Sequence, residues 1–140
     1  MKIVTLTIVG LSLALPAAYA EDPPNFETDI YPFIENSCVE CHKAPYEDER
    51  GRVRRPKADL RFDGKEFILQ GGENNDDFPT LTPGDPDKSA MYTLVILPLS
   101  DDDHMPPEDK ADELTDEQKE LLKKWIAAGA DFGDWTGKTE

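Results

Sequence analysis

Cys38-Val39-Glu40-Cys41-His42 is the stretch whose reading decides this chain. Two thiols three positions apart, followed at once by an imidazole, have the spacing of a covalent attachment site for c-type haem. One short turn can direct both sulfurs to the two vinyl groups on a porphyrin edge. The same turn carries the next side chain under the ring, where its imidazole can bind iron. These are the only two cysteines in the 140 residues, so no disulfide framework accounts for them. A redox dithiol calls for strand–helix alternation around the pair, which the flanking pattern lacks. A structural zinc site calls for four ligands, and only the distant His104 is there to join Cys38, Cys41 and His42.

Upstream of the motif, Phe26, Ile30, Phe33 and Ile34 recur at helical spacing. The pattern predicts an amphipathic helix over 25–37, bent or interrupted at Pro32, that delivers the chain to Cys38. Further back, Lys2, the apolar run Ile3 to Leu15, the helix-breaking Pro16 and Ala18-Tyr19-Ala20 have the layout of a secretory signal peptide. The run is shorter than the roughly 20 residues of a comfortable membrane span. No cysteine stands at the cleavage point to take a lipid. The expectation is a soluble, periplasmic protein beginning at Glu21, forming a single domain over 21–140, in the compartment where haem is attached to exported thiols.

Charge narrows the partners. The whole chain carries 15 basic and 30 acidic side chains, a net of −15, and the segment after residue 20 carries 14 against 30, a net of −16. Phosphates would repel such a chain, which excludes nucleic acid. It would be steered toward redox partners with a basic docking face, an attraction that salt weakens, unless the acids serve only solubility. A monomer is expected.

Downstream, residues 43–59 read as a charged loop in which Arg52, Arg54, Arg55 and Lys57 are the basic cluster. Ala58 to Asp63 alternates as a short extended segment, with Arg61 either solvated or free to meet a haem propionate. Gly64 to Gln70 suits one or two helical turns ended by Gly71-Gly72. A helix should start with Asp85 as N-cap and Pro86 at its first position, and run through Met91, Leu94 and Val95 to about Leu97. Residues 98–114 are then a loop. Thr115 and Gln118 match a capping box opening a helix to about Ala128, with Leu121, Leu122, Trp125 and Ile126 as its apolar stripe. Trp125 should pack this helix against the first one. The chain reads as mainly α.

A haem iron held by His42 has a second axial position, for which Met91, Met105 and His104 are candidates. Met91 falls on the core stripe of its helix, where thioethers fill gaps well. Met105 lies in a loop among aspartates, where helical packing gives no reason for a large apolar residue. Pro106 and Pro107 stiffen that loop. This favours Met105, with His104 as its competitor. His/Met ligation would raise the potential and suit electron transfer. The aspartates at 101–103 lack the ligand spacing of an EF-hand calcium loop.

Taken in order, Ile34 to His42, Ala58-Asp59-Leu60-Arg61-Phe62-Asp63, Gly71-Gly72, Pro83-Gly84-Asp85-Pro86-Asp87-Lys88-Ser89, His104-Met105-Pro106-Pro107 and Leu114 to Gln118 with Trp125-Ile126 resemble the planctomycete-type cytochrome c domain. The resemblance runs from about residue 27 to 135. It implies a small class I-like, cytochrome c-like helical fold wrapped around one covalently attached haem c. It also implies thioethers at Cys38 and Cys41 and iron ligation by His42 and Met105. The loop between His42 and Leu60 is longer and more charged than such domains lead one to expect. The function expected is one-electron transfer by a carrier rather than an enzyme. The alternatives are a gas-binding or sensor domain, should the distal position be open, and an electron-entry subunit of a larger periplasmic enzyme. No distal His/Arg pair of a peroxidase is recognisable.

Overall fold

The computed structural model describes residues 22–138, so the expected signal peptide, 1–20, lies outside the described residues. Phe26–Ile30, Tyr31–Ile34 and Glu35–Val39 run end to end as one helical segment, α1, whose first and last parts have the wider π winding. Pro32 accounts for the first of these. Its ring has no N–H for the carbonyl four residues back and crowds it, so the turn before it widens and the Tyr31 N–H reaches back to the Phe26 carbonyl. The expected bend is thus taken up by winding, without a break. Asn25 caps the start, its side chain accepting from the Thr28 amide at 3.1 Å.

A two-residue hairpin follows the haem-type motif, with β1 (Tyr46–Glu47) antiparallel to β2 (Val53–Arg54). The charged loop expected here is therefore an ordered ribbon. Ala58 to Asp63 does not form the single extended segment expected. Lys57–Asp59 is a tight 3₁₀ turn in which Ala58 and Asp59 hold positive φ of 53° and 51°, and the extended backbone resumes at Leu60. Helix α2 spans Lys65–Gln70 and stops at Gly71, whose φ of 74° a side chain would resist. The next residue, Gly72, lets the chain pass the Ala58 carbonyl, which an added Cβ would meet at 2.7 Å.

The helix expected from Asp85 to Leu97 is broken in two. A 3₁₀ turn, Pro86–Lys88, is followed by α3, Ala90–Thr93, with extended backbone at Ser89 between them. Asp85 makes no capping bond and pairs with Lys88 instead, at 2.9 Å. The break has a cause at Ser89, which is fully buried. Its hydroxyl accepts from the Thr82 amide at 2.9 Å and lies 2.9 Å from the Asp85 carbonyl, pinning the residue to the preceding loop. Helix α4 spans Asp116–Ala127, and both halves of the Thr115/Gln118 capping box are formed.

The core sits between α1, α4 and the C-terminal tail. Phe26 meets Tyr31, Trp125, Phe132 and Trp135 with ring centroids 4.5–5.9 Å apart. Trp125 is 1% exposed and donates its indole N–H to the Asp131 carbonyl at 2.7 Å, so it packs the last helix on the first as expected. The tail continues to Lys138, which pairs with Glu35 on α1 and closes a bridge between Gly64 and Gly137. No helix among the described residues is long and apolar enough to cross a membrane.

Candidate haem site

The π-wound end of α1 delivers Cys38 and Val39, and the turn after it carries Cys41 and His42, whose amide bonds back to the carbonyls of Cys38 and Val39 at 3.1 Å each. The imidazole is held from behind. Its Nδ1 lies 3.1 Å from the Lys57 carbonyl and 3.3 Å from the Leu60 carbonyl. Carbonyls only accept, so Nδ1 carries the proton and Nε2 is left with its lone pair. Burial lowers the His42 pKa from its ordinary value, by more than those carbonyls raise it, so the ring is neutral at pH 7. Phe62 meets it edge-on, with centroids 5.6 Å apart.

The Lys57–Asp59 turn exists in the service of this arrangement. The Lys57 amide donates to the Cys41 carbonyl at 3.0 Å and the Phe62 amide to the His42 carbonyl at 2.8 Å, so the segment from 57 to 62 is laced to the motif at Cys41 and His42. The lacing extends outward through Asp63. Its carboxylate accepts from the Ala44 amide at 2.8 Å and from Arg61 at 2.9 and 3.0 Å. Arg61 also lies over the Phe67 ring at 3.4 Å, so it is neither simply solvated nor free. Sequence reasoning missed these partners because most are backbone carbonyls and amides, which no residue type advertises.

Cys38, Cys41, His42 and Met105 all line one cavity of about 900 Å³ including its open mouth. Its walls are overwhelmingly apolar: Phe33 and Ile34 from α1, Leu60 and Phe62 from the laced segment, Met91, Leu94 and Val95 from α3 and the turn after it, and Leu114 and Leu122. Met91 belongs to the buried core and lines the cavity too, whereas Met105 is only partly buried and reaches it from the loop. That loop is latched by the Met105 amide on the Leu94 carbonyl at 3.2 Å.

His104 does not line the cavity. It is 1% exposed, and its Nδ1 lies 2.8 Å from the Leu97 carbonyl, which again makes Nδ1 the protonated nitrogen. Its Nε2 is buried with no hydrogen-bond partner. Among the described residues no group of three His, Cys, Asp or Glu is placed to hold a metal, and the zinc quartet that included His104 is not assembled. Burial also pushes the Cys38 thiol up to about 12, with Cys41 adding to the effect. The aspartates at 101–103 serve their own turn, Asp101 accepting from the Asp103 amide at 3.0 Å.

Residues 38–109, just over half of the chain, match the family model described as Planctomycete cytochrome C. The chain belongs to the planctomycete cytochrome c family. The matched stretch takes in both the thiol–imidazole motif and the Met105 loop. No curated protein and no solved structure matches the chain. Membership of a cytochrome c family carries with it haem as cofactor and electron transfer as the general function. The site fits that cofactor in kind. Two thiols, an imidazole with a free Nε2 and a thioether share a cavity whose other walls are apolar.

Proposed function

We propose that this protein is an exported, periplasmic monohaem c-type cytochrome that passes single electrons between partners. The observation that carries the proposal is the state of His42. Its Nδ1–H points to the Lys57 and Leu60 carbonyls, which leaves Nε2 as the nitrogen free for iron on a ring that lines the same apolar cavity as Cys38, Cys41 and Met105.

Haem bound there supplies one iron that gains and loses an electron reversibly. Everything else falls to the chain. Cys38 and Cys41 would add across the two vinyl groups, His42 would ligate through Nε2, and Met105 would offer its sulfur as the second ligand. Phe33, Ile34, Leu60 and Phe62 exclude water, and a dry surround together with a thioether ligand raises the potential.

Met105→Ala tests the ligand set. The expected outcome is loss of the low-spin spectrum, a lowered potential and new binding of carbon monoxide by the reduced protein. An unchanged spectrum and potential would remove Met105 from the iron.

A further inference from the structure

The chain's charge is distributed unevenly about the haem motif. Residues 40–57 hold six basic side chains against four acidic, a net of +2, while the rest of the chain holds nine against 26, a net of −17. The basic groups sit on the hairpin and its exit. Arg52 and Arg54 both engage Asp48, at 2.9 and 2.8 Å, yet each remains about half exposed. Arg50, Arg55 and Lys57 are exposed and make no ion pair among the described residues. Lys43 pairs with Glu40 and lies over the Tyr46 ring at 4.5 Å. Val53, 66% exposed, and Tyr46, 42% exposed, stand among them, giving the arginine, aromatic and apolar mixture that interfaces favour.

The ribbon is also fixed in place. Its exit is laced to the motif through the Lys57 amide on the Cys41 carbonyl and the Lys57 carbonyl at His42 Nδ1. Cys41 and Ala58 line the cavity and are exposed, so the mouth opens beside the hairpin's base. Another part of the lining is the loop bearing Lys110, whose exposed neighbours Glu108, Asp109 and Asp112 make that side acidic. The mouth therefore has a basic side and an acidic side.

We propose that the hairpin over 46–57 is a docking platform for a redox protein with an acidic face, which it seats beside the haem edge at Cys41. The proposal rests on the haem reading above. Net charge alone points to a basic partner. The field on the hairpin side of the mouth points the other way, and at physiological salt a partner seated there meets those charges first, because the Debye length is only about 8 Å.

The test is electron exchange of the reduced holoprotein with an acidic and a basic blue-copper protein, each at low and high salt. Arg50→Glu/Arg55→Glu/Lys57→Glu is compared with Lys88→Glu/Lys123→Glu/Lys124→Glu, which makes the same charge change on exposed residues away from the cavity lining. The hairpin variant is expected to slow the acidic partner on the order of tenfold at low salt, well beyond the remote variant, with the difference vanishing as salt screens it. Equal effects of the two variants, or faster exchange with the basic partner in the unaltered protein, would overturn the proposal. Low-salt self-association abolished by the hairpin variant would overturn it in favour of a second copy as occupant. The reducible haem spectrum, read first, separates the two claims: its absence sinks both, whereas its presence with the wrong charge dependence sinks docking alone.

Discussion

The protein's two histidines are handled by the same hydrogen-bond logic and set to different tasks. In each, a backbone carbonyl accepts a hydrogen bond from Nδ1–H. His42 Nε2 belongs to a ring that lines the cavity, whereas His104 Nε2 is buried without a partner. His104 instead ties its own loop to Leu97, one residue before Met105. It follows that His104→Leu, which strands the Leu97 carbonyl, should cost about 1–3 kcal/mol of stability in urea unfolding. His104→Asn, which keeps a donor, should recover part of that. Equal stability of all three proteins would mean the bond is idle. The competition between His104 and Met105 was open in the sequence because adjacent residues in a loop carry no periodicity to say which one faces inward.

Among the elements, the legible ones were those with local causes. The capping box at Thr115, the glycine stop at Gly71 and the apolar stripe of α4 are each set by residues within one turn of each other. What misled was tertiary. Asp85-Pro86 carries a good helix start, but the buried Ser89 hydroxyl answers to Thr82, seven residues back, and breaks the helix there. The 43–59 stretch looked like solvated loop because its charged residues hide both the Asp48 pairing with Arg52 and Arg54 and the anchoring by Cys41, His42 and Asp63. Asp63 gives this a pH dependence. Burial raises its pKa, but the bonds from Arg61 and the Ala44 amide together outweigh that and leave it below the ordinary 3.8. A depressed carboxyl stabilises the fold above its unfolded-state pKa, and that contribution is lost as pH falls through the folded value. Asp63→Asn should therefore lower stability near neutral pH by no more than about 1 kcal/mol, solvent screening included. It should also flatten the acid limb of the stability curve below pH 3.8. An unchanged acid limb would assign that limb to other carboxylates.

At the scale of the molecule, an aromatic core built by Phe26, Trp125, Phe132 and Trp135 holds α1 against α4 and the segment after it, and the cavity is walled largely by what lies between them. The motif residues of that cavity stood out in the sequence because two thiols and an imidazole at this spacing form a recognisable pattern. Its walls did not, since Phe33, Leu60, Val95 and Leu122 come from four separate stretches and look like ordinary core. The account as a whole stands on a porphyrin bonded through sulfur to this polypeptide. Intact mass under denaturing conditions, on protein from a host with working cytochrome maturation, measures that bond directly. The prediction is a polypeptide heavier by one haem, with the added mass lost in Cys38→Ser/Cys41→Ser. A correctly processed chain carrying no added mass would contradict it.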